Sequence, residues 1–134
     1  MKMQMRNMLF IGLALPVFIF GQVKVDILND IAATIKSGNV KEISKFFDSN
    51  IEITLLDEEG TYSKAQAEQI LIDFFGKNTP KSFELMHTGG SSKENSKFGI
   101  GILTTTKGVT YRTYFLVREI NGKQLIQELR FEED

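Results

Sequence analysis

The sequence predicts an α+β domain in which N-terminal helices pack on a mainly antiparallel sheet. Three observations support this prediction. Apolar residues recur at helical spacing between Ile27 and Phe75. From Lys81 onward they alternate with polar residues, which is typical of half-buried strands. Asn121-Gly122 separates two apolar runs, a strong signal for a β-hairpin. Because the helices come first and a run of strands follows, the order favours α+β over α/β architecture.

Three helices are predicted. The first ends near Gly38, which suits a left-handed cap, and its apolar face comprises Ile27, Leu28, Ile31, Ala32 and Ile35. The second begins at the capping residue Asn39, and its apolar face comprises Val40, Ile43, Phe46 and Phe47. The third begins with a Ser63–Gln66 capping box and ends at Gly76, and its apolar face comprises Ala67, Ile70, Leu71, Phe74 and Phe75.

Five strands are predicted. The first is Ile51–Leu55, which an acidic turn at Asp57–Gly60 ends. The other four lie near Ser82–Thr88, Lys97–Thr106, Val109–Ile120 and Lys123–Glu132. Gly89–Ser96 is predicted to be a polar loop, and Lys107-Gly108 a tight turn.

Two-residue turns at Asn121-Gly122 and Lys107-Gly108 would fix the register of the last three strands. The expected pairs are Val117 with Ile126, Phe115 with Glu128 and Thr113 with Arg130, and the face of Phe115 would also carry Phe98, Ile100 and Ile102. Both faces of the sheet would then be substantially apolar. The helices can cover one face, and the other needs a partner, a ligand or partial exposure. We therefore expect a homodimer through the sheet face, the alternative being an ordinary sheet with scattered exposed apolar residues.

The first 21 residues have the layout of a secretory signal. Lys2 and Arg6 precede the apolar run Met8–Phe20, and the small residue Gly21 follows it. The run is shorter than the roughly 20 residues of a membrane-spanning helix. We expect cleavage after Gly21, so that contact with a membrane ends there. The mature domain would be 22–134, a single domain in the periplasm or outside the cell.

Composition excludes several classes of function. Without Lys2 and Arg6, 14 basic side chains face 17 acidic ones, a net charge of −3. No basic run provides the phosphate-neutralising charge of a nucleic-acid-binding protein. The chain has no cysteine, which excludes disulfides, thiol catalysis and thiolate metal sites. The spacing of histidine and carboxylates suggests no metal site, and we expect no cofactor.

The stretch YSKAQAEQILIDFFGKNTPKSFELMHTG (Tyr62–Gly89) resembles a family of small exported domains of unknown function from Gram-negative bacteria. The later stretches TYRTYFLV (Thr110–Val117) and LIQELRFE (Leu125–Glu132) do so as well. The order of elements is similar to that of the cone-shaped nuclear transport factor 2-like fold. The resemblance implies a curved sheet wrapped around the helices, with a concave pocket. It carries over no catalytic residue, because the function of that family is unknown. The broader fold does not choose a function either, since it serves isomerases, dehydratases, cyclases and binding domains alike.

Four residues are candidates for lining such a pocket. His87, the only histidine, is expected to share a strand face with Phe83 and Leu85, where it would be a base or a hydrogen-bond donor. A strand-end histidine bonded to the adjacent loop is the plainer interpretation. Glu128, opposite Phe115, is the candidate inward carboxylate, and an ion pair with Arg130 is the plainer interpretation.

Arg112 and Tyr114 share one strand face and could clamp a ligand carboxylate. The plainer interpretation is an aromatic packed on the sheet beside an arginine whose stem lies along it.

We expect an exported, non-enzymatic module that binds a small apolar or amphiphilic ligand or a protein partner. The alternative is a cofactor-free isomerase- or dehydratase-like enzyme, which requires His87 within hydrogen-bond reach of a buried carboxylate such as Glu128.

Overall fold

The computed structural model describes Gly12 and residues 26–134. The predicted signal segment therefore lies, apart from Gly12, outside the described residues. The helices are α1 (Ile27–Ser37), α2 (Val40–Ser44) and α3 (Lys64–Lys77). The strands are β1 (Phe47–Leu55), β2 (Glu58–Ser63), β3 (Pro80–Ser91), β4 (Ser96–Thr105), β5 (Thr110–Ile120) and β6 (Lys123–Glu133). The predicted α+β class is confirmed.

The predicted end of the first helix and the predicted start of the third are confirmed. Ser63 and Gln66 form a reciprocal capping box at the start of α3. Gly38 ends α1 in the left-handed conformation, with φ 67°. The prediction that Gly76 caps α3 is wrong. The helix continues because the Asn78 backbone N–H donates to the Phe74 carbonyl at 2.9 Å, and Asn78 is the cap.

The second helix is shorter than predicted. It ends at Ser44, and Phe47 already belongs to β1. The Ile126 backbone N–H donates to the Phe46 carbonyl at 2.6 Å. Helical spacing alone predicted Phe46 and Phe47 on α2. Backbone pairing with β6 instead places Phe47 in β1 and Phe46 directly before it.

The six strands form one sheet in the order β2-β1-β6-β5-β4-β3. Every neighbouring pair is antiparallel except β1 and β6, which are parallel. The sequence did not predict β2, whose residues Glu58 and Glu59 looked like part of a turn. A short turn at Leu56-Asp57 folds β2 back on β1, so that Ile51 pairs with Tyr62. Backbone pairing rather than an apolar pattern makes this segment a strand.

The three helices pack on one face of the sheet, here called the inner face. The largest fully buried side chains between the helices and this face are Phe115, Phe131, Ile31, Ile35, Ile43, Ile51, Ile53, Leu71, Leu103, Ile126 and Leu129. Phe74 of α3 connects the layers, since its ring lies 4.8 Å from that of Phe131 and 5.4 Å from that of Tyr111. The interior around Phe74, Tyr111 and Phe131 is thus filled with aromatic side chains. None of the helices in residues 26–134 has the length and apolar character that crossing a membrane requires.

The register of β4 against β5 differs by one residue from the prediction. Thr104 pairs with Thr110, and the connection closes when the Thr105 N–H donates to the Val109 carbonyl. The predicted two-residue turn at Lys107-Gly108 is therefore wrong, and Gly99 rather than Ile100 lies opposite Phe115. Phe98, Ile100 and Ile102 consequently lie on the face away from Phe115.

Two glycines of β4 make this register possible. A Cβ on Gly99 would lie 2.5 Å from Cζ of Phe115, and one on Gly101 would lie 2.5 Å from Cζ of Phe83. The space beside each glycine is thus taken by a phenylalanine of the neighbouring strand. The inner face is packed because β4 leaves room there for the rings of β3 and β5.

A β-bulge at Gln127 changes the second half of β6. Val117 pairs with Ile126 as predicted, but Leu116 and not Phe115 pairs with Glu128. The predicted pairs of Phe115 with Glu128 and of Thr113 with Arg130 are wrong, because Gln127 is one residue more than a regular ladder accommodates. Leu129 and Phe131 therefore face the core, each fully buried.

Candidate functional site

The face of the sheet opposite the helices, here called the outer face, carries the four residues that the sequence singled out. Cross-strand pairing arranges it in three rows. The central row is His87, Ile100, Tyr114, Arg130 and Thr54. One flanking row is Gly89, Phe98, Leu116, Glu128 and Glu52, and the other is Glu84, Ile102, Arg112 and Glu132. Apolar side chains of β4 and β5 thus lie between charged side chains on both sides.

Tyr114, Glu128 and Arg130 form the polar cluster of this face. The guanidinium of Arg130 pairs with the Glu128 carboxylate and lies 5.0 Å from the centre of the Tyr114 ring. The Glu128 side chain is only 13% exposed. The carboxylate is therefore engaged by Arg130, which fits the ion pair considered for it from the sequence rather than a free base.

The pKa values of this cluster follow its geometry. Burial raises the pKa of the Tyr114 hydroxyl, and the negative charge of Glu128 raises it further against the opposing charges of Arg130 and Arg118. The hydrogen bond with Glu128 raises the pKa of Arg130. Both shifts favour the protonated forms, so the cluster holds a neutral phenol beside a salt bridge at neutral pH.

An apolar patch lies beside the polar cluster. The Phe98 and Tyr114 rings are stacked, with centres 6.0 Å apart and planes at 29°. A Cβ on Gly89 would lie 2.5 Å from the Phe98 ring, so Phe98 covers that glycine. Ile100, Ile102 and Leu116 extend the patch, and each is only half-buried. Side chains of this size in the middle of a sheet remain in contact with solvent.

A hydrogen-bonded chain closes one end of the outer face. Arg118 donates to Gln127 at 3.3 Å, and Gln127 donates to Asp48 at 3.2 Å. Arg118 also lies 3.8 Å from Glu94 in the β3–β4 connection. Its Nε is buried without a hydrogen-bond partner among the described residues. The bulge residue Gln127 thus joins β5, β6 and β1 through its side chain.

His87 is placed differently from the prediction. A bulge at Met86 turns it away from the face of Leu85, so that it pairs with Ile100 and is exposed on the outer face. Two strands lie between β3 and β6, which puts His87 about 14 Å from the strand that carries Glu128. The hydrogen bond that the enzyme alternative requires is therefore not formed.

Arg112 and Tyr114 share the outer face as predicted, but Arg112 is exposed and lies opposite Glu132 in the register of β5 and β6. The structure thus joins Tyr114 and Glu128 through Arg130 and leaves His87 and Arg112 apart from them. Within residues 26–134, no three His, Asp or Glu side chains are grouped to hold a metal ion.

Sequence reasoning missed Phe98, Ile100 and Ile102 as members of this face. The signal that could have placed them is the glycine pair Gly99 and Gly101. Because glycine has no side chain, these two residues suit the face of β4 against which large rings of the neighbouring strands lie, and the residues that alternate with them then lie on the other face.

Most of the chain matches a single protein family. Residues 28–132 match the family described as Domain of unknown function (DUF4783). The chain belongs to this family. A DUF4783 protein from Bacteroides uniformis is 24% identical in sequence, with a TM-score of 0.75 over 81% of this chain and 98% of its own. None of the proteins with curated descriptions matches significantly.

Other solved structures confirm the fold. A cystatin-like protein of unknown function from Nostoc punctiforme is 14% identical, with a TM-score of 0.62 over 79% of this chain and 84% of its own. A designed NTF2-type protein with a long sheet is 15% identical, with a TM-score of 0.61 over 77% of this chain and 94% of its own. The DUF4783 chain therefore has a nuclear transport factor 2-like, cystatin-like α+β fold.

Proposed function

We propose that this DUF4783 protein is an exported, non-enzymatic interaction module that self-associates through its outer face. The observation that carries the proposal is the apolar patch of half-buried side chains on β4 and β5, Phe98, Ile100, Ile102 and Leu116, which no described helix covers. Removing such a patch from water is favourable, and monomeric proteins rarely leave large apolar patches exposed.

The charges around the patch suit a second copy of the same surface. Arg112 and Arg130 lie on this face together with Glu84, Glu128 and Glu132. Both signs of charge are therefore present around one apolar centre. In a two-fold symmetric interface each surface meets itself, so opposite charges can face each other on both sides of the axis.

The interior supports an interaction role over ligand binding between helices and sheet. Leu103, Phe115 and Phe131 have no exposed surface there. A small apolar or amphiphilic ligand in this part of the interior would have to displace side chains that already fill it. A cleft of about 760 Å³ opens beside it, between the start of α1 and the β3–β4 connection, and its lining includes Asp26, Asn95 and Lys97 as well as Leu28 and Val117. The outer face offers apolar surface without such a cost.

The oligomeric state tests the proposal. The purified protein should show twice the monomer mass in sedimentation at micromolar concentration. Ile100→Lys, in the centre of the patch, should give a folded monomer. Val109→Lys is the matched control, because Val109 is an apolar residue that is 43% exposed in the β4–β5 connection, away from the patch. A monomeric wild-type protein, or a dimer unaffected by Ile100→Lys, would contradict the proposal.

The export part of the proposal rests on Lys2, Arg6 and the apolar run Met8–Phe20. Mass spectrometry of the protein recovered from the periplasm or the medium should find Gln22 as its first residue. Recovery of the intact chain from the cytoplasm alone would contradict export.

A further inference from the structure

A second feature lies at the end of the sheet, outside the outer face. A cleft of about 530 Å³ separates the β1–β2 turn from the C-terminal half of α3. Its apolar lining is Leu55, Leu56, Ile70 and Phe74. Phe74 forms part of the aromatic cluster with Tyr111 and Phe131, so the cleft reaches down to the edge of the core. Its volume is in the range of small-molecule sites.

Leu56 at the mouth of this cleft is unusual in two respects. Its φ of 56° is left-handed, which costs a leucine free energy, whereas the other non-glycine residues with positive φ between residues 26 and 134 are Asn95 and Asn121. Its side chain is also 43% exposed. The Leu56 N–H donates to the Phe131 carbonyl at 2.8 Å, which fixes the turn against β6. An apolar side chain is thus held at the mouth where burial does not compensate for its conformation.

The rim of the cleft is acidic. Asp57, Glu58 and Asp73 line it, and Lys77 is the single basic residue among the described lining residues. Because β1 and β6 are parallel, their carboxyl ends meet at the same end of the sheet, which adds Glu133 to this region. An apolar body with a positively charged end is complementary to such a surface.

We infer that this cleft binds a small amphiphilic organic cation, an amine with an apolar chain or ring. The apolar part lies against Ile70 and Phe74 and covers Leu56. The ammonium group lies at the rim between Asp73 and the acidic β1–β2 turn. This binding is independent of self-association through the outer face, which uses β3 to β6.

Two ligands of similar size and opposite charge test the inference. 4-Phenylbutylammonium should shift the amide signals of Leu56, Ile70 and Asp73 in an NMR titration. It should bind at least about tenfold more tightly than 4-phenylbutyrate, because the rim repels a carboxylate. Ethylammonium, which has the charge without the apolar part, should bind at least about tenfold more weakly, because it buries little apolar area.

Charge reversal on the protein provides the matched variants. Asp73 is exposed, and Asp73→Lys should weaken the binding of phenylbutylammonium about tenfold. Glu119→Lys, equally exposed near the opposite end of the sheet, should leave the affinity unchanged. Leu56→Gly relieves the left-handed strain and should weaken binding severalfold in a protein that is at least as stable.

Several results would overturn the inference. Equal binding of the two phenylbutyl ligands, or signal shifts confined to the outer face, would exclude a cation site in the cleft. If Asp73→Lys abolished the dimer, a second copy of the chain rather than an amine would be the occupant of the cleft. A lysine-flanked phenylalanine peptide that bound far more tightly than the amine would make it a polypeptide site.

Discussion

Glu128 lies opposite Leu116 across β5 and β6, and both side chains lie on the outer face. This pairing follows from the bulge at Gln127, after which the chain returns to regular alternation. It places Glu128 beside Arg130 on one face, and Leu129 and Phe131 in the core. One extra residue therefore decides which side chains of β6 lie in the core and which lie on the outer face.

The bulge predicts an asymmetry between deletion and insertion. Deleting Gln127 leaves Ile126 and Glu128 adjacent in a regular ladder, so every later side chain keeps its face. We expect a cooperatively folded protein that loses at most about 2 kcal/mol, because two side-chain hydrogen bonds disappear. Inserting an alanine between Glu128 and Leu129 turns Leu129 and Phe131 outward and should abolish cooperative unfolding in urea. Equal damage from the deletion and the insertion would contradict this account of the register.

Two glycines should respond oppositely to the same substitution. Gly99→Ala places a Cβ 2.5 Å from the Phe115 ring. We expect it to lower the free energy of unfolding by about 1–3 kcal/mol, as overpacking does. Gly76→Ala is the control, since a Cβ there has nothing within 4 Å and the residue lies inside α3. It should stabilise the protein by about 0.5–1 kcal/mol. Urea unfolding measures both, and destabilisation by Gly76→Ala would argue against the helical assignment.

Tyr114 should make stability depend on alkaline pH. Its pKa is raised in the folded protein, so the folded state holds the phenolic proton more tightly than the unfolded chain. This contribution is fully present below the unfolded pKa of about 10 and is lost as the pH rises through the folded pKa. Between about pH 8 and pH 11 the wild type should lose more unfolding free energy than Tyr114→Phe. Parallel pH profiles of the two proteins would contradict the role given to Tyr114.

The capping box should contribute measurably to α3. The Gln66 backbone N–H donates to the Ser63 hydroxyl at 3.2 Å, and the Gln66 side chain accepts from the Ser63 N–H at 3.1 Å. Ser63→Ala should therefore lower the thermal midpoint and cost about 1 kcal/mol. Ser92→Ala, in the exposed β3–β4 connection, serves as the control and should have little effect. A cost as large for Ser92→Ala would show that serine loss in general, not capping, is measured.

The three helices and the meander of β3 to β6 were predictable because they depend on local patterns. The Ser63–Gln66 box, the left-handed Gly38 and the Asn121-Gly122 turn each act within a few residues, and all three are present. Strand β2 was not predictable in this way. Its acidic residues carry no apolar alternation, and only pairing with β1 makes it a strand.

The candidate site was predicted less completely than the fold. Tyr114 and Arg112 were placed on one face correctly, because they lie two residues apart on one strand. His87 and Glu128 were misplaced by the bulges at Met86 and Gln127, since each extra residue exchanges the two faces from that point on. Bulges are set by contacts between strands and leave little trace in the spacing of apolar residues.

The position of β6 has a consequence for the order in which the chain becomes structured. β6 is the last strand in the described chain, yet it lies between β1 and β5 in the sheet. Phe47 near the start of the domain pairs with Ile126 near its end, and that contact closes a loop of most of the domain. Contacts so distant in sequence slow folding. A chain emerging residue by residue therefore has no complete core until β6 is available.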